Sequence, residues 1–280
     1  MMQTGQPSRT ALSSARARAV HQVADSPRVF ADPLAARIID GVDNDPRPAD
    51  APGMPAEVRL FMALRHRVAE DALRAAVHTR QVVILGAGLD TFAYRNGNRA
   101  LRVFEVDHPA TQAWKRRRLA ETGIEIPDTV VFCPVDFAEQ TAEAGLAAAG
   151  FDRHAPAFFL LLGVAPYLTR DALLDTARFV AHLPAPADLV FDYNQPPATL
   201  PPQRRPALAA QAEAMAKMGE PWRSFFTPAE LAGELTDAGF DSVTDVGWQE
   251  CLTRYELDPS LRDLFGGRIA HARTTGRETR

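Results

Sequence analysis

A glycine turn and an acidic residue follow two neighbouring apolar segments of the chain. Gly86-Ala87-Gly88 comes directly after the apolar residues 82–85, and glycines let backbone amides approach a ligand closely. Asp107 ends the next apolar segment, 21 residues after Gly86. At that distance an acid accepts hydrogen bonds from ribose hydroxyls in nucleotide-binding folds. Together the two features predict an adenosine-type ligand. The structural alternatives are an ordinary tight turn and an acid at the start of a helix.

Two further groups could contact such a ligand. Asp136-Phe137, at the end of the third apolar segment, offers a carboxylate to an exocyclic amine and an aromatic face to a purine ring. The alternatives there are a helix cap and a core phenylalanine. Arg65 lies on the apolar stripe of a predicted helix, where its guanidinium could bind a ligand carboxylate bidentately. Its alternative role is a buried ion pair with an acid such as Asp90.

The turn lacks the third glycine of a dinucleotide-binding motif. The sequence reads GAGLDT, so Thr91 stands where the pattern G-x-G-x-x-G has the glycine that allows close packing around a pyrophosphate. A ligand without phosphate therefore fits better, and S-adenosylmethionine is the common one. A nicotinamide-dependent oxidoreductase is disfavoured for the same reason.

Segments rich in Val, Ile, Leu and Phe alternate with helical patterns from residue 81 onward. Such segments are typical of strands that are covered on both faces, and the alternation predicts a parallel sheet with helices on both sides. Ligands bind at the carboxyl ends of such strands, near the point where strand order reverses. The predicted strands are residues 81–86, 101–107, 129–136, 157–163, 188–193, 242–247 and 268–273.

The chain before and after these strands predicts the domain organisation. Residues 1–55 are helical and interrupted by prolines, which predicts an N-terminal helical cap or lid. Residues 56–280 are expected to form the ligand-binding domain. A proline-rich insertion around residues 194–226 is expected to lie over the ligand face.

The apolar stripe of the helix that begins near residue 56 places Arg65 inward and extends to Val77. Arg67 should point to solvent and pair with Asp71, four residues later. The basic run at residues 115–118 falls on another predicted helix and is expected to be a solvated face.

The composition excludes several classes of protein. With 280 residues, 46% hydrophobic and 24% charged, the chain is typical of a globular protein, and its net charge of -4 gives no reason to expect nucleic acid as a partner. Two distant cysteines without a CxxC pair suggest neither a disulfide framework nor a metal site. No apolar stretch is long enough to span a membrane or to resemble a signal peptide. We expect a cytoplasmic monomer or homodimer that acts on a small molecule.

Stretches between about residues 8 and 270 resemble a known family. They read SRTALSSARARAVHQ, FADPLA, ALRHRVAEDAL, VVILGAGLDTFAYR, FEVDHPATQAWKRRRL, VDF, LGVAPYLT, FDY and RSFF. Together they resemble the S-adenosylmethionine-dependent methyltransferases of the leucine carboxyl methyltransferase (PPM) type, in particular their bacterial branch. The resemblance implies an α/β class I methyltransferase fold, Rossmann-like, with a mostly parallel seven-stranded sheet and an N-terminal helical cap. It also implies cofactor contacts at Arg65, Gly86, Asp107, Asp136 and Phe137.

The chain departs from the family pattern at the end of the fourth predicted strand. The family member that acts on protein carboxyl termini has a glutamate there, where this chain reads Leu161-Leu162-Gly163. The side chain of Leu162 cannot replace a carboxylate, although its backbone can contact the cofactor. Gly88 and Asp90, in the turn after the first strand, complete the expected cofactor contacts. The protein substrate is not carried over, and a cofactor-binding protein without turnover is an alternative.

Methyl transfer from a sulfonium is an in-line displacement, so the protein mainly aligns the acceptor and excludes water. A carboxylate is ionised at neutral pH and needs no base, whereas a phenol or alcohol needs one, and no Ser-His-Asp arrangement is evident. We therefore predict O-methylation of a small-molecule carboxylate, for example in natural-product chemistry, with a phenol or alcohol acceptor as the alternative. The residues expected to position the acceptor are Tyr167, Tyr193 and Arg254, and those expected to line an apolar pocket, or to pack at a helix start, are Trp222, Phe225 and Phe226.

Overall fold

A seven-stranded sheet forms the centre of the protein. The structure is a computed structural model that describes residues 8–42, 54–137, 139–217, 219–263 and 267–276. All seven strands predicted from the apolar segments are present. They are Gln81–Leu85 (β1), Arg102–Asp107 (β2), Val130–Pro134 (β3), Ala157–Leu161 (β4), Ala187–Tyr193 (β5), Ser242–Gly247 (β6) and Arg268–Thr274 (β7).

The strand order places two strand ends beside each other at the centre of the sheet. The order is β3-β2-β1-β4-β5-β7-β6. The first five are parallel, whereas β7 is antiparallel to β5 and β6. Strand order reverses between β1 and β4, which pair in register from Gln81 opposite Ala157 to Ile84 opposite Leu160. A ligand crevice is therefore expected just beyond their carboxyl ends.

Helices cover both faces of the sheet, which confirms the predicted layers. They are Arg9–Ala24 (α1), Leu34–Ile38 (α2), Ala56–Ala75 (α3), Phe92–Arg95 (α4), Pro109–Glu121 (α5), Ala142–Ala148 (α6), Arg170–Ala181 (α7), Arg205–Lys217 (α8), Pro228–Asp237 (α9) and Trp248–Arg254 (α10). Apolar side chains of α6, α7 and α9 form one core with the sheet. Those of α3, α4 and α10 form the other core on the opposite face.

Three helices begin where the sequence predicts. The hydroxyl of Thr169 accepts a hydrogen bond from the backbone N–H of Ala172 at the start of α7. Thr227 and Glu230 form a capping box at the start of α9. Pro109 is the first residue of α5. These caps satisfy backbone donors that the first turn of a helix leaves unpaired.

The N-terminal helices α1 and α2 pack against α3 and α5. Arg18 of α1 is buried, donates to Asp32 at 2.9 Å, and donates to the carbonyl of Leu89 at 2.7 Å. This arginine therefore links the N-terminal segment to the turn that follows β1. The division into a cap up to residue 55 and a domain from residue 56 stays a prediction, and most of the proline-rich loop before α3 lies outside the described residues.

Two sequence-based expectations about exposure are wrong. Lys115, in the basic run expected to be solvated, is 1% exposed, and its ammonium donates to Glu105 of β2 at 2.9 Å. Arg116 and Arg117 are exposed as expected. Val77 was assigned to the buried stripe of α3, but the helix ends at Ala75 and Val77 is 73% exposed.

In the part of the chain that the structure describes, no helix combines the length and apolar composition needed to cross a membrane.

Candidate active site

A cavity of about 510 Å³ opens at the carboxyl ends of β1 and β4. Its walls come from α1, α3, the turn after β1, the residues that follow β4 and β5, and a segment around residues 211–223. This is the place predicted from the reversal of strand order, and the volume lies within the usual range for ligand pockets. The cavity is therefore the candidate site.

The glycine turn lines the cavity. Gly86 and Gly88 both have positive φ angles, +68° and +43°. A Cβ on Gly86 would clash with Cγ2 of Val164, so a larger residue fits there only if the side chain of Val164 moves. Thr91, at the position of the missing third glycine, donates its hydroxyl to Asp32 at 2.6 Å. It thus contributes to the junction with the N-terminal segment.

Asp107 lies at the end of β2 and also lines the cavity. Its two carboxylate oxygens accept backbone hydrogen bonds from Gly88 and His108, both at 2.6 Å. Burial raises the pKa of Asp107, and these two backbone hydrogen bonds oppose that effect. A carboxylate has further lone pairs, so ribose hydroxyls could bind beside the glycine turn.

We expect Asp107→Ala to weaken S-adenosylmethionine binding by roughly 1.5 to 3 kcal/mol, the range for a hydrogen bond to a charged group. Isothermal titration calorimetry measures this loss. The sequence alone predicts little change in stability, but the two backbone N–H groups that lose their acceptor should lower the free energy of unfolding by about 1–3 kcal/mol. A folded variant with an unchanged dissociation constant would refute the ribose assignment.

Arg65 is 5% exposed and borders the cavity from α3. It donates to Asp192 at 3.1 Å and to the hydroxyl of Ser14 at 3.0 Å. Its Nε is buried and has no hydrogen-bond partner among the described residues. The ion-pair alternative is thus realised, but with Asp192 in place of Asp90. The unpartnered Nε leaves one donor for a ligand, since a buried donor without an acceptor is costly.

The neighbouring side chains of α3 follow the predicted helical phase. Arg67 donates to Asp71 at 2.8 Å and is partly exposed, as predicted. His66 lines the cavity, but its Nδ1 lies 2.8 Å from the carbonyl of Met62 and its Nε2 lies 3.3 Å from Asp90. Asp90 also accepts a hydrogen bond from the backbone N–H of Phe92 at 2.6 Å. Each ring nitrogen of His66 therefore has a protein oxygen beside it.

Asp136 and Phe137 follow β3 and are not among the residues that line the cavity. Asp136 lies 3.5 Å from Nε2 of His108. Phe137 is 53% exposed. Their role in adenine binding stays a prediction. Leu162, in contrast, lines the cavity directly after β4, as its predicted backbone contact requires.

Of the three residues expected to position the acceptor, the structure brings only Tyr167 to the cavity. Its hydroxyl donates to the sulfur of Met215 at 3.5 Å, and burial raises its pKa. Tyr193 is 2% exposed and its hydroxyl donates to Asp245. Side chains alternate along β5, so Asp192 borders the cavity while Tyr193 packs into the core. Arg254 lies at the exposed end of α10, outside the cavity lining.

The three aromatic residues considered for the acceptor pocket have different positions. Trp222 lines the cavity. Phe225 packs edge-to-face against Trp222, with the ring centroids 6.4 Å apart. Phe226 is fully buried in the core, which matches the alternative of a packed helix start.

Three polar residues that line the cavity were not identified from the sequence: Asp192, Asn194 and Glu220. Asp192 ends a predicted strand, which is the same signal that identified Asp107. In the part of the chain that the structure describes, Nδ2 of Asn194 and Oε2 of Glu220 are buried without a hydrogen-bond partner. Neither residue belongs to a periodic pattern or motif, so no sequence signal indicated them.

Within the described residues, no group of three His, Cys, Asp or Glu side chains could hold a metal ion. The groups that line the cavity can bind and orient a ligand, through Arg65, the glycine turn and the strand-end carboxylates.

The sequence is similar to a known family and to several named bacterial proteins. The profile of the family described as "Leucine carboxyl methyltransferase" matches residues 11–181. A Bacillus subtilis protein named "Putative S-adenosyl-L-methionine-dependent methyltransferase YktD" is 30% identical over 267 residues, covering 85% of this chain and 88% of that protein. A Mycolicibacterium vanbaalenii protein named "Putative S-adenosyl-L-methionine-dependent methyltransferase" is 30% identical over 303 residues, covering 95% and 94%.

Two solved structures have a similar fold. One is described as a "putative methyltransferase" from Thermobifida fusca, with a TM-score of 0.61 and 18% identity, covering 97% of this chain and 96% of that one. The other, a "duf574 family protein" from Streptomyces avermitilis, has a TM-score of 0.57 and 16% identity, covering 93% and 97%. At these identities the likeness concerns the fold alone, which agrees with the predicted Rossmann-like architecture.

Proposed function

The chain belongs to the leucine carboxyl methyltransferase family and is an S-adenosylmethionine-dependent methyltransferase, and from this premise we propose that it methylates a carboxylate of a small molecule. The polar residues that line the cavity after β4 and β5 and near residue 223, here called the acceptor end, support the proposal. They include Tyr167, Asn194 and Arg223, and each of these three can donate a hydrogen bond to an anion.

The cofactor would be held by the residues around the first two strand ends. The unpartnered Nε of Arg65 suits the methionine carboxylate, and Asp107 suits the ribose hydroxyls. The turn from Gly86 to Gly88 gives the cofactor a close approach to the backbone, while Asp136 and Phe137 are proposed for the adenine ring. When bound, the cofactor supplies an electrophilic methyl group on a sulfonium. The protein then has to align the acceptor oxygen and exclude water.

The donors at the acceptor end carry the carboxylate assignment. Nδ2 of Asn194 is buried without a partner, and Arg223 has no carboxylate partner among the described residues. Backbone hydrogen bonds keep this region together, because the N–H of Arg223 donates to Pro166 at 2.7 Å and that of Phe226 donates to Asn194 at 3.1 Å. An unpartnered amide, a neutral hydroxyl and a guanidinium together match the charge and lone pairs of a carboxylate.

Methylation of a phenol or alcohol is the second candidate, and one observation favours it. Glu220 lines the same cavity, and its Oε2, which has no partner among the described residues, could accept the proton of a hydroxyl. This candidate leaves the donors of Asn194 and Arg223 without a role, which is why we place it second.

The product distinguishes the two candidates. The enzyme is incubated with a panel of small carboxylic acids and phenols and with S-adenosylmethionine labelled in the methyl group, and the product is then treated with mild alkali. We expect the label to be released as methanol, because a methyl ester is hydrolysed by alkali. A label that survives this treatment marks an ether and would overturn the carboxylate proposal, while leaving the enzyme class intact.

The pH profile of the same reaction is the second measurement. A carboxylic acid with a pKa near about 4 is ionised well below neutral pH, and a phenol with a pKa near about 10 is not. Because the pKa of Tyr167 is raised, its hydroxyl keeps its proton over this range and acts as a donor throughout. We therefore expect kcat to be nearly constant between about pH 6.5 and 8.5. A kcat that rises steadily with pH would indicate an acceptor that must lose a proton.

A further inference from the structure

Glu220 has an arrangement that neither the cofactor contacts nor the carboxylate donors explain. Its Oε1 accepts a hydrogen bond from the hydroxyl of Ser8 at 2.9 Å. Glu220 lines the cavity, and within the described part of the chain its Oε2 is buried without a hydrogen-bond partner. A buried carboxylate oxygen without a donor is unfavourable, so an oxygen held in this way is suited to receive a donor from a ligand.

The charge of Glu220 is not neutralised by the surrounding protein. Among the described residues no lysine, arginine or histidine pairs with it, and Arg223, three residues later on the same segment, has no acidic partner either. The Tyr167 hydroxyl donates to the sulfur of Met215, a weak acceptor that a ligand carboxylate can replace. The cavity thus contains an anionic acceptor at Glu220 and a group of donors at Asn194, Tyr167 and Arg223.

These two groups require different partners on the ligand. We propose that the acceptor carries, besides its carboxylate, a hydroxyl or ammonium group, and that Glu220 binds this second group through Oε2. The inference rests on the proposed carboxylate methylation, because the donors at Asn194 and Arg223 are then used by the reacting carboxylate. The substrate class is accordingly a hydroxy or amino carboxylic acid, and Glu220 determines the preference for it.

Ser8 is a positioning residue in this arrangement. Its hydroxyl caps α1 by accepting from the backbone N–H of Ala11 at 3.4 Å, and it donates to Glu220. It therefore holds Oε1 of Glu220 in place and leaves Oε2 available to a ligand. The contact joins α1 to the segment after α8 across 212 residues of sequence. Removing the Ser8 hydroxyl should leave the charge of Glu220 in place but let the carboxylate rotate.

The test compares matched ligands in the presence of saturating S-adenosylhomocysteine. One set is hexanoate, 6-hydroxyhexanoate and 6-aminohexanoate, and the other is benzoate with its three hydroxy and three amino isomers. Dissociation constants are measured by calorimetry for the wild-type protein and for Glu220→Gln. We expect at least one substituted acid to bind about tenfold or more tightly than its parent, because a hydrogen bond to a charged acceptor is lost in the parent. In Glu220→Gln the ratio of the two dissociation constants, parent acid to substituted acid, should fall to about two or less.

A matched control changes the same functional group elsewhere. Glu213 is exposed on α8 and pairs with Lys217 at 2.7 Å, so Glu213→Gln should keep the wild-type ratio. Ser8→Ala should lower the ratio by an intermediate amount, since only the orientation of the carboxylate is affected.

Several outcomes would overturn the proposal. One is that the wild-type protein binds substituted and parent acids equally well, or binds no acid of either set. Another is that the preference for a substituted acid persists in Glu220→Gln. A weaker binding of S-adenosylmethionine by Glu220→Gln, with no change in the ratio, would instead assign Glu220 to the ammonium of the cofactor. The failure of the proposed function is distinguishable, because an alkali-stable product refutes carboxyl methylation whatever the ratio of dissociation constants shows.

Discussion

Arg65→Ala is expected to weaken S-adenosylmethionine binding by about 100-fold, whereas Arg67→Ala should leave it within about twofold. The two arginines lie two positions apart on α3 but face different surroundings. Arg65 borders the cavity with a buried, unpartnered Nε. Arg67 is on the outer face and pairs with Asp71. Calorimetric titration of both variants with the cofactor gives the comparison, and equal losses would contradict the assigned phase.

The stability of Arg65→Ala has to be separated from its effect on binding. Removing Arg65 leaves the carboxylate of Asp192 buried without its cation, which should lower the free energy of unfolding by about 3–5 kcal/mol. The double variant Arg65→Leu/Asp192→Asn removes both charges and should recover much of this stability. We expect its affinity for the cofactor to stay low, because the guanidinium is still absent. Recovery of affinity together with stability would show that Arg65 acts on the fold alone.

The helical phase of Arg65 could be predicted from the sequence, but its partner could not. Apolar side chains recur at three- and four-residue steps along α3, and this periodicity places Arg65 on the buried side. The acid that pairs with it, Asp192, is 127 residues away on β5. A local pattern gives the direction of a side chain relative to its own helix and contains no information about distant strands. From the sequence, a nearby acid such as Asp90 is therefore the expected partner.

The strands and the glycine turn could be predicted because their signals are local. The segment Gln81–Leu85 is apolar at almost every position, as expected of a strand between two layers of helices, and all five residues are buried. Lys115 shows the opposite case. Its charge predicted exposure, but Glu105 of the adjacent strand provides a buried partner, and composition alone cannot show such a contact.

Strand alternation would have corrected one error at the acceptor end. Asp192 and Tyr193 are consecutive in β5, so their side chains point to opposite faces and only one of them can border a given cavity. Tyr193, which was expected to position the acceptor, is buried, and its hydroxyl donates to Asp245. Asn194 and Glu220 lie in irregular segments, where no periodicity exists, and only the assembled structure brings these two residues to the cavity.

Gly163→Ala should reduce cofactor affinity by an amount of the same order as Arg65→Ala, although residue 163 has no side chain in the wild-type protein. Gly163 has a φ angle of +70°, and a Cβ there would lie 2.7 Å from Nη2 and 2.9 Å from Nη1 of Arg65. The guanidinium must then move. The backbone N–H of Gly163 also donates to Asp192 at 2.5 Å, so the partner of Arg65 is disturbed as well. Calorimetry with S-adenosylmethionine measures the loss.

Two comparisons separate displacement of Arg65 from backbone strain. Gly41 has a φ of +67°, and no described residue lies within 4 Å of an added Cβ, so Gly41→Ala should lower stability by about 1–2 kcal/mol and leave cofactor affinity unchanged. The double variant Arg65→Ala/Gly163→Ala completes a thermodynamic cycle. Because the alanine at 163 acts through the guanidinium, the double variant should bind the cofactor about as weakly as Arg65→Ala alone. Losses that add in full would show that Gly163 affects the cofactor by a route independent of Arg65.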